Sequence, residues 1–206
     1  METSYLTVTN RTDTNTPIKT LSVTLPVLKT TTLPITSTFE DRPTALANNV
    51  VKVTYSTNKI YAGVLSTADI SAADIGTIYF SDLKVGTQEF DFDVSTLNGI
   101  SVLDDTKKIT AKVTVSNSYS AHKVRINSSN IVVEGVPEGK KATVESIDAT
   151  TVTVIAPKNA KINSSNLTMK CDVSKQNEDN VYPVTITVSD GKSWAYGKYS
   201  ATVKLK

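Results

Sequence analysis

The chain has 206 residues, 39% apolar and 20% charged, with a formal net charge of +2. That composition is ordinary for a soluble globular protein and allows one or two domains. A charge this small, with lysines scattered along strand patterns, argues against nucleic acid as a partner, and no apolar run approaches the roughly 20 residues that would cross a membrane.

In chain order, Leu6-Thr-Val-Thr-Asn10 reads as a strand end, followed by a polar, turn-like stretch to Pro17. Residues 18–25 alternate Leu21, Val23 and Leu25, which predicts a strand entering the first module. Pro26 and Pro34 bracket a Thr-rich segment; proline cannot donate to a ladder, so residues 26–34 are expected as edge strand or irregular linker. Asn48-Asn49 signals a turn, and Val51, Val53 and Tyr55 then alternate as a core strand. Residues 66–75 carry capping side chains and alanines and predict one or two helical turns, the sole helix candidate. Leu83-Lys-Val-Gly-Thr87 supplies a turn before Phe90, Phe92 and Val94, which form one packed face with Asp91 and Asp93 on the wet one.

Ile109-Thr-Ala-Lys-Val-Thr-Val115 closes this first module, and its pattern returns as Tyr199-Ser-Ala-Thr-Val-Lys-Leu205. The spacing of about 90 residues suits a small independent domain and is too long for a solenoid unit. Because Val113-Thr-Val-Ser-Asn117 matches residues 6–10 in type, the organisation expected is residues 1–17 as the end of a preceding repeat or linker, a module over 18–117 and a second over 118–206. A unit of this size has a thin core, so neighbours are expected to lean on one another.

In the second module, Ile131-Val-Val-Glu134 predicts a strand that leads into Gly135-Val-Pro-Glu-Gly139, a turn whose last glycine is expected at positive φ. Val152 and Val154 are matched with Val51 and Val53. Val184, Ile186 and Val188 are matched with Phe90, Phe92 and Val94, with about nine extra residues assigned to a loop of the first module. Leu167, Met169, Cys171 and Val173 alternate on a buried face, which makes the single cysteine a core residue. Ile-Asn-Ser-Ser-Asn occurs at 126–130 and at 162–166, each time before an apolar alternation, and reads as turn chemistry. The fold class is therefore all-β: two tandem small β-sheet modules with little helix.

Little here points to catalysis. His122 is the single histidine and has no acid or nucleophile motif beside it. With one histidine and one cysteine a zinc site is not expected. Asp91 and Asp93, Asp104-Asp105 and Glu178-Asp179 could offer oxygens to calcium, but they lack the Asp-x-Asp-x-Asp-Gly spacing and read as solvated carboxylates. None of the 8 glycines sits in a phosphate-cradling arrangement. No cofactor or metal is expected, and no enzyme. The Asn-x-Ser/Thr matches at Asn10, Asn127, Asn163 and Asn166 follow from Asn-rich turns. Ser193-Trp-Ala-Tyr-Gly-Lys-Tyr199 holds the one tryptophan, and Trp194 with Tyr196 forms the candidate contact patch, set against a role in closing the core edge.

The second module resembles YbbR-like domains, through Asn130-Ile-Val-Val-Glu-Gly-Val-Pro-Glu-Gly139, Thr151-Val-Thr-Val154, Leu167 to Ser174 and Tyr199 to Leu205; in the first, Leu83 to Thr87 before Phe90 is similar, while residues 26–38 depart. The resemblance implies an all-β module, used in tandem behind an N-terminal anchor outside this fragment, on the extracytoplasmic side of a bacterial membrane or at the cell surface. The best understood relatives bind and regulate a membrane diadenylate cyclase, so the expected partner is a protein, such a cyclase, with no membrane insertion by this stretch. The family brings no catalytic or ligand motif to transfer. The function expected is non-catalytic contact with protein; the competing one is a carbohydrate-binding or adhesive surface module in which Trp194 and Tyr196 stack on sugar.

Overall fold

The structure is a computed structural model that describes residues 27–174 and 179–206. The opening echo, residues 1–17, the strand expected over 18–25, and Glu178 lie outside the described residues. Among the described residues fifteen strands run β1 (Leu28–Glu40), β2 (Val51–Tyr55), β3 (Lys59–Leu65), β4 (Ala73–Tyr79), β5 (Gly86–Asp93), β6 (Ile100–Val102), β7 (Lys108–Val115), β8 (Tyr119–Arg125), β9 (Ile131–Glu134), β10 (Ala142–Ile147), β11 (Thr151–Pro157), β12 (Leu167–Asp172), β13 (Val181–Val188), β14 (Trp194–Tyr196) and β15 (Ser200–Leu205). Among the described residues the only helical pieces are short 3-10 turns, so the all-β expectation holds.

The two halves share one pairing scheme. In the first, β3 lies between the opening part of β1 and β6, the later part of β1 runs parallel to β4, and β7 lies between β2 and β5. In the second, β11 lies between β8 and β14, β9 runs parallel to β12, and β15 lies between β10 and β13. β8 and β9 thus share the work of β1, and β10 to β15 repeat β2 to β7 in order. The closing strands end at Val115 and Leu205, 90 residues apart.

This register corrects two matches drawn from the sequence and the insertion that followed from them. Val51 and Val53 pair with Val115 and Val113, as Ala142 and Val144 pair with Leu205 and Val203, so β2 answers to β10. Val152 and Val154 answer instead to Ile60 and Ala62 of β3, on strands with the same inside-outside pattern. Phe90 opposes Ala111 as Tyr182 opposes Ala201, which shifts the β5 and β13 match by two residues. With these registers the nine-residue insertion disappears: β3 starts 8 residues after β2 (Val51, Lys59) and β11 starts 9 after β10 (Ala142, Thr151). Alternation has a period of two, so a valine pair fits several strands equally well until the ladders choose.

Pro34 sits in a regular strand, because β1 changes partner there. Its last pair with β3 is Pro34 with Lys59, and Ile35 opens the parallel ladder to Ala73. Among the described residues each stretch has one neighbour, so the missing N–H breaks no ladder there. Residues 66–75 form no helix; Ala73, Ile75 and Ile78 are buried on β4, where the alanine serves packing and not helix propensity. Beside them Gly76 takes φ +146°, and a Cβ there would lie 2.6 Å from the Phe92 ring, so only glycine admits that ring against the sheet. Among the described residues β2 has one ladder neighbour, β7, and its Val51, Val53 and Tyr55 are half-buried against the core.

The turn readings hold. Asn48 and Asn49 lie in a turn, and Gly139 has φ +76°. Both copies of Ile-Asn-Ser-Ser-Asn end in a 3-10 turn, Ser128–Asn130 and Ser164–Asn166, whose first asparagine accepts the N–H of Ser129 or Ser165. They launch β9 and β12, which then lie side by side in parallel. Cys171 is fully buried with Met169 and Val173, and burial, followed by the nearby Asp172 charge, pushes its thiol pKa up.

Candidate functional site

The candidate site is the junction of the two halves, and it is built around Trp194. Asp190 opens the turn that presents this residue. Its carboxylate accepts the backbone N–H groups of Lys192 and Ser193, each at 2.9 Å, and the Ser193 hydroxyl at 2.6 Å. Gly191 follows at φ +63°, a conformation glycine adopts without a Cβ penalty, and its carbonyl accepts the N–H of Ala45 from the first half at 2.8 Å. The turn is thereby fastened to both halves.

Trp194 is 4% exposed. Its Nε1 donates to the Leu83 carbonyl at 2.9 Å, a bond between residues 111 apart in sequence. Phe80 meets the indole edge-on at 5.1 Å and Tyr119 stacks on it at 5.6 Å. The Leu83 carbonyl follows the 3-10 turn Phe80–Asp82, and Ser81 in that turn accepts the Gly197 N–H at 2.8 Å. Leu46, Val50, Val113 and Val115 from the first half complete one apolar cluster with Tyr119, Ile155 and Trp194 from the second. Aromatic pairs in these geometries add about 0.5–1.5 kcal/mol each beyond the area they bury. The halves share a core, as their thin individual cores led one to expect.

Tyr196, the other residue of the candidate patch, is partly buried against the same cluster. Its carbonyl accepts the Tyr199 hydroxyl at 2.8 Å, and that hydroxyl in turn accepts the Thr153 N–H at 3.0 Å. Trp194 and Tyr196 therefore stand together on one face, and the contact they make is between the halves of the chain. An indole seated this deeply offers no free ring to a sugar.

The remaining candidates are dispersed. His122 lies on β8, with its Nε2 3.0 Å from the Ser120 hydroxyl. Asp91 accepts from Thr110 Oγ1 at 2.6 Å and from Lys108 Nζ at 2.9 Å across the β5 and β7 ladder, and these bonds hold its pKa below the usual carboxylate value. Asp93 caps Ser95, and Asp104 accepts the N–H groups of Tyr61 and Thr106; both are lowered by those bonds. At Asp190 burial pushes the carboxyl up, but the bonds from Ser193 and Lys192 outweigh it and the net direction is down. Burial, and then the Asp190 charge, raise the Tyr119 phenol. Each of these carboxylates secures a turn or a strand pair.

A cleft of about 450 Å³ lies at the junction, lined by Arg42 and Ser81 from the first half and by β13, Trp194 and Lys198 from the second. The Arg42 guanidinium is already committed to Asn48 Oδ1 at 2.8 Å and the Leu46 carbonyl at 3.3 Å. The carbonyls of Ser81 and Leu83 that fix the seat carry no sequence signal of their own. Asp190-Gly191 is a turn dipeptide, and was the one readable clue to the loop that presents Trp194.

No family model and no curated protein matches the chain. Among solved structures it aligns with a YbbR-like protein from Streptococcus pneumoniae TIGR4, over 89% of this chain and 98% of that one, at 12% identity and a TM-score of 0.25. A superposition that poor carries no argument about fold or role.

Proposed function

We propose that the chain is a non-catalytic pair of β-units, joined as one stiff body, that acts by protein contact. The observation that carries this is the shared aromatic core at Trp194, which joins the two units through one apolar cluster and the bond to the Leu83 carbonyl. A linker that let the units swing would suit a tether; a welded junction suits a spacer or scaffold that holds a binding surface at a set distance. The carboxylates support the same reading, since Asp91, Asp93, Asp104 and Asp190 are spent on turns and ladders.

The sequence resemblance of residues 130–139, 151–154, 167–174 and 199–205 to YbbR-like domains supports an extracytoplasmic setting and a membrane diadenylate cyclase as the partner. The test is cyclic dinucleotide output in cells holding that cyclase and the full-length parent protein, compared with a parent lacking residues 27–206. A clear change, with the shortened parent still made and anchored, places these units in the regulatory contact. Unchanged output removes the cyclase as their partner and leaves the spacer role.

A further inference from the structure

The sequence holds one Asn-Gly pair, Asn98-Gly99, and it forms the tip of the turn that enters β6. The Ile100 N–H bonds back to the Leu97 carbonyl at 3.2 Å, and Gly99 takes φ +72° in the third place of that turn, as a type II turn requires. Both residues are exposed. Among the described residues no hydrogen bond holds the Asn98 carboxamide or the Gly99 N–H. A Cβ on Gly99 would meet only Ile70 Cδ1, at 3.5 Å, so the space beside this backbone is open. The one Asp-Gly pair, Asp190-Gly191, is arranged in the opposite way. Its carboxylate accepts three bonds from Lys192 and Ser193, and the Gly191 N–H donates to the Val188 carbonyl at 3.3 Å. Side chain and following nitrogen are both held there, and both are free at Asn98-Gly99.

We propose that Asn98-Gly99 is a site of spontaneous main-chain modification that loosens β6 as the protein ages. The Gly99 nitrogen attacks Asn98 Cγ; an N–Cγ bond forms, the C–N bond of the carboxamide breaks, and the amide proton leaves with that nitrogen as ammonia. The product is a five-membered succinimide. Water then opens it at one of its two carbonyls. Cleaving N–Cγ leaves aspartate at 98, and cleaving the bond to the main-chain carbonyl leaves isoaspartate, whose main chain runs through Cβ. Either product adds a negative charge, and the second also lengthens the backbone by one atom. The place is sensitive to that change. β6 has three residues and, among the described residues, β3 as its one ladder neighbour, and Leu97, Ile100 and Val102 are partly buried against the core of the first unit. A longer main chain loses the closure between Leu97 and Ile100, and with it the start of β6. The inference concerns the first unit alone and stands apart from any partner.

Peptide mapping by mass spectrometry on the full chain, held in mildly alkaline buffer, tests this. Asn98 is expected to gain one mass unit ahead of every other asparagine. The isoaspartyl product is read by methyl transfer from S-adenosylmethionine through an isoaspartyl carboxyl methyltransferase. Asn98→Gln, whose longer side chain disfavours the five-membered ring, is expected to abolish both signals. In the converted protein the Ile100 to Val102 amides should exchange about tenfold faster or more. Freshly made Asn98→Asp has the charge on a normal main chain and should exchange as the unaltered protein does, with Trp194 emission unchanged in both. Asn98 left intact while Asn127 or Asn163 has reacted overturns the proposal. So does full conversion that leaves the Ile100 to Val102 amides as slow as before.

Discussion

The outer faces of the β3/β6 and β11/β14 sheets are the same surface by register and opposite in state. One presents Gly63 and Ser101, with exposed leucines around them; the other presents Ile155 and Trp194, both buried. The ladders beneath are alike, so backbone topology does not decide which face becomes an interface. Two side chains differ at matching positions: Ile155 supplies bulk where Gly63 has none, and Trp194 supplies a donor that reaches the Leu83 carbonyl where Ser101 stands in the first half.

The sharpest way to break this comparison is at Trp194. Trp194→Ala is expected to lower stability by about 3–5 kcal/mol in urea unfolding, by opening a large cavity between the halves, while Ser101→Ala at the matching position stays within about 0.5 kcal/mol. Equal effects would mean that the junction contributes nothing the open face lacks. Trp194→Phe keeps most of the volume and loses the bond to Leu83, and a loss of about 1–3 kcal/mol is expected for the carbonyl left behind.

Acid should act on the junction through Asp190. Its folded pKa is lowered, so the stability it contributes is present above the unfolded value of about 3.9 and is lost as pH falls through the lower folded value. Asp91, Asp93 and Asp104 carry the same sign. Stability is therefore expected to fall below about pH 4, and Asp190→Asn should flatten part of that fall. Trp194, the sole tryptophan, is the built-in fluorescent reporter of the junction. A pH profile identical in the variant would remove Asp190 from the account.

Smaller effects compare the halves of the second unit and then the open face. Asn163 caps a turn in which Asn166 Oδ1 also accepts the Asn163 N–H at 2.9 Å, whereas Asn127 accepts from Ser129 alone at the backbone. Asn163→Ala should cost about 1 kcal/mol in thermal unfolding and Asn127→Ala less. Gly63→Ala should change stability by less than about 0.5 kcal/mol, because the side chain it meets, Leu28, is exposed enough to move. A large loss there would show the open face to be packed as tightly as the closed one.

Much of the fold was legible in the sequence because alternation is local. β5, β7, β12 and β15 could be read from apolar residues two apart, and the Asn-Ser-Ser-Asn turns from side chains that bond to their own backbone. The short strands β6 and β14 were not, since three residues hold too little pattern. The helix expected over 66–75 failed because alanine has no periodicity of its own and Ala73 was claimed by the β4 core.

What the sequence determined by itself was the all-β class, the 90-residue period, the buried cysteine and the capped turns, all set by interactions within a few residues or by repetition. Tertiary structure alone decided which strands answer to which, because a period of two is satisfied by any strand and only the ladders select a register. It also decided the role of Trp194. The indole's partners are Leu83, Phe80 and Tyr119, brought to it from more than 70 residues away, and nothing in its own neighbourhood distinguishes a core residue from a surface anchor.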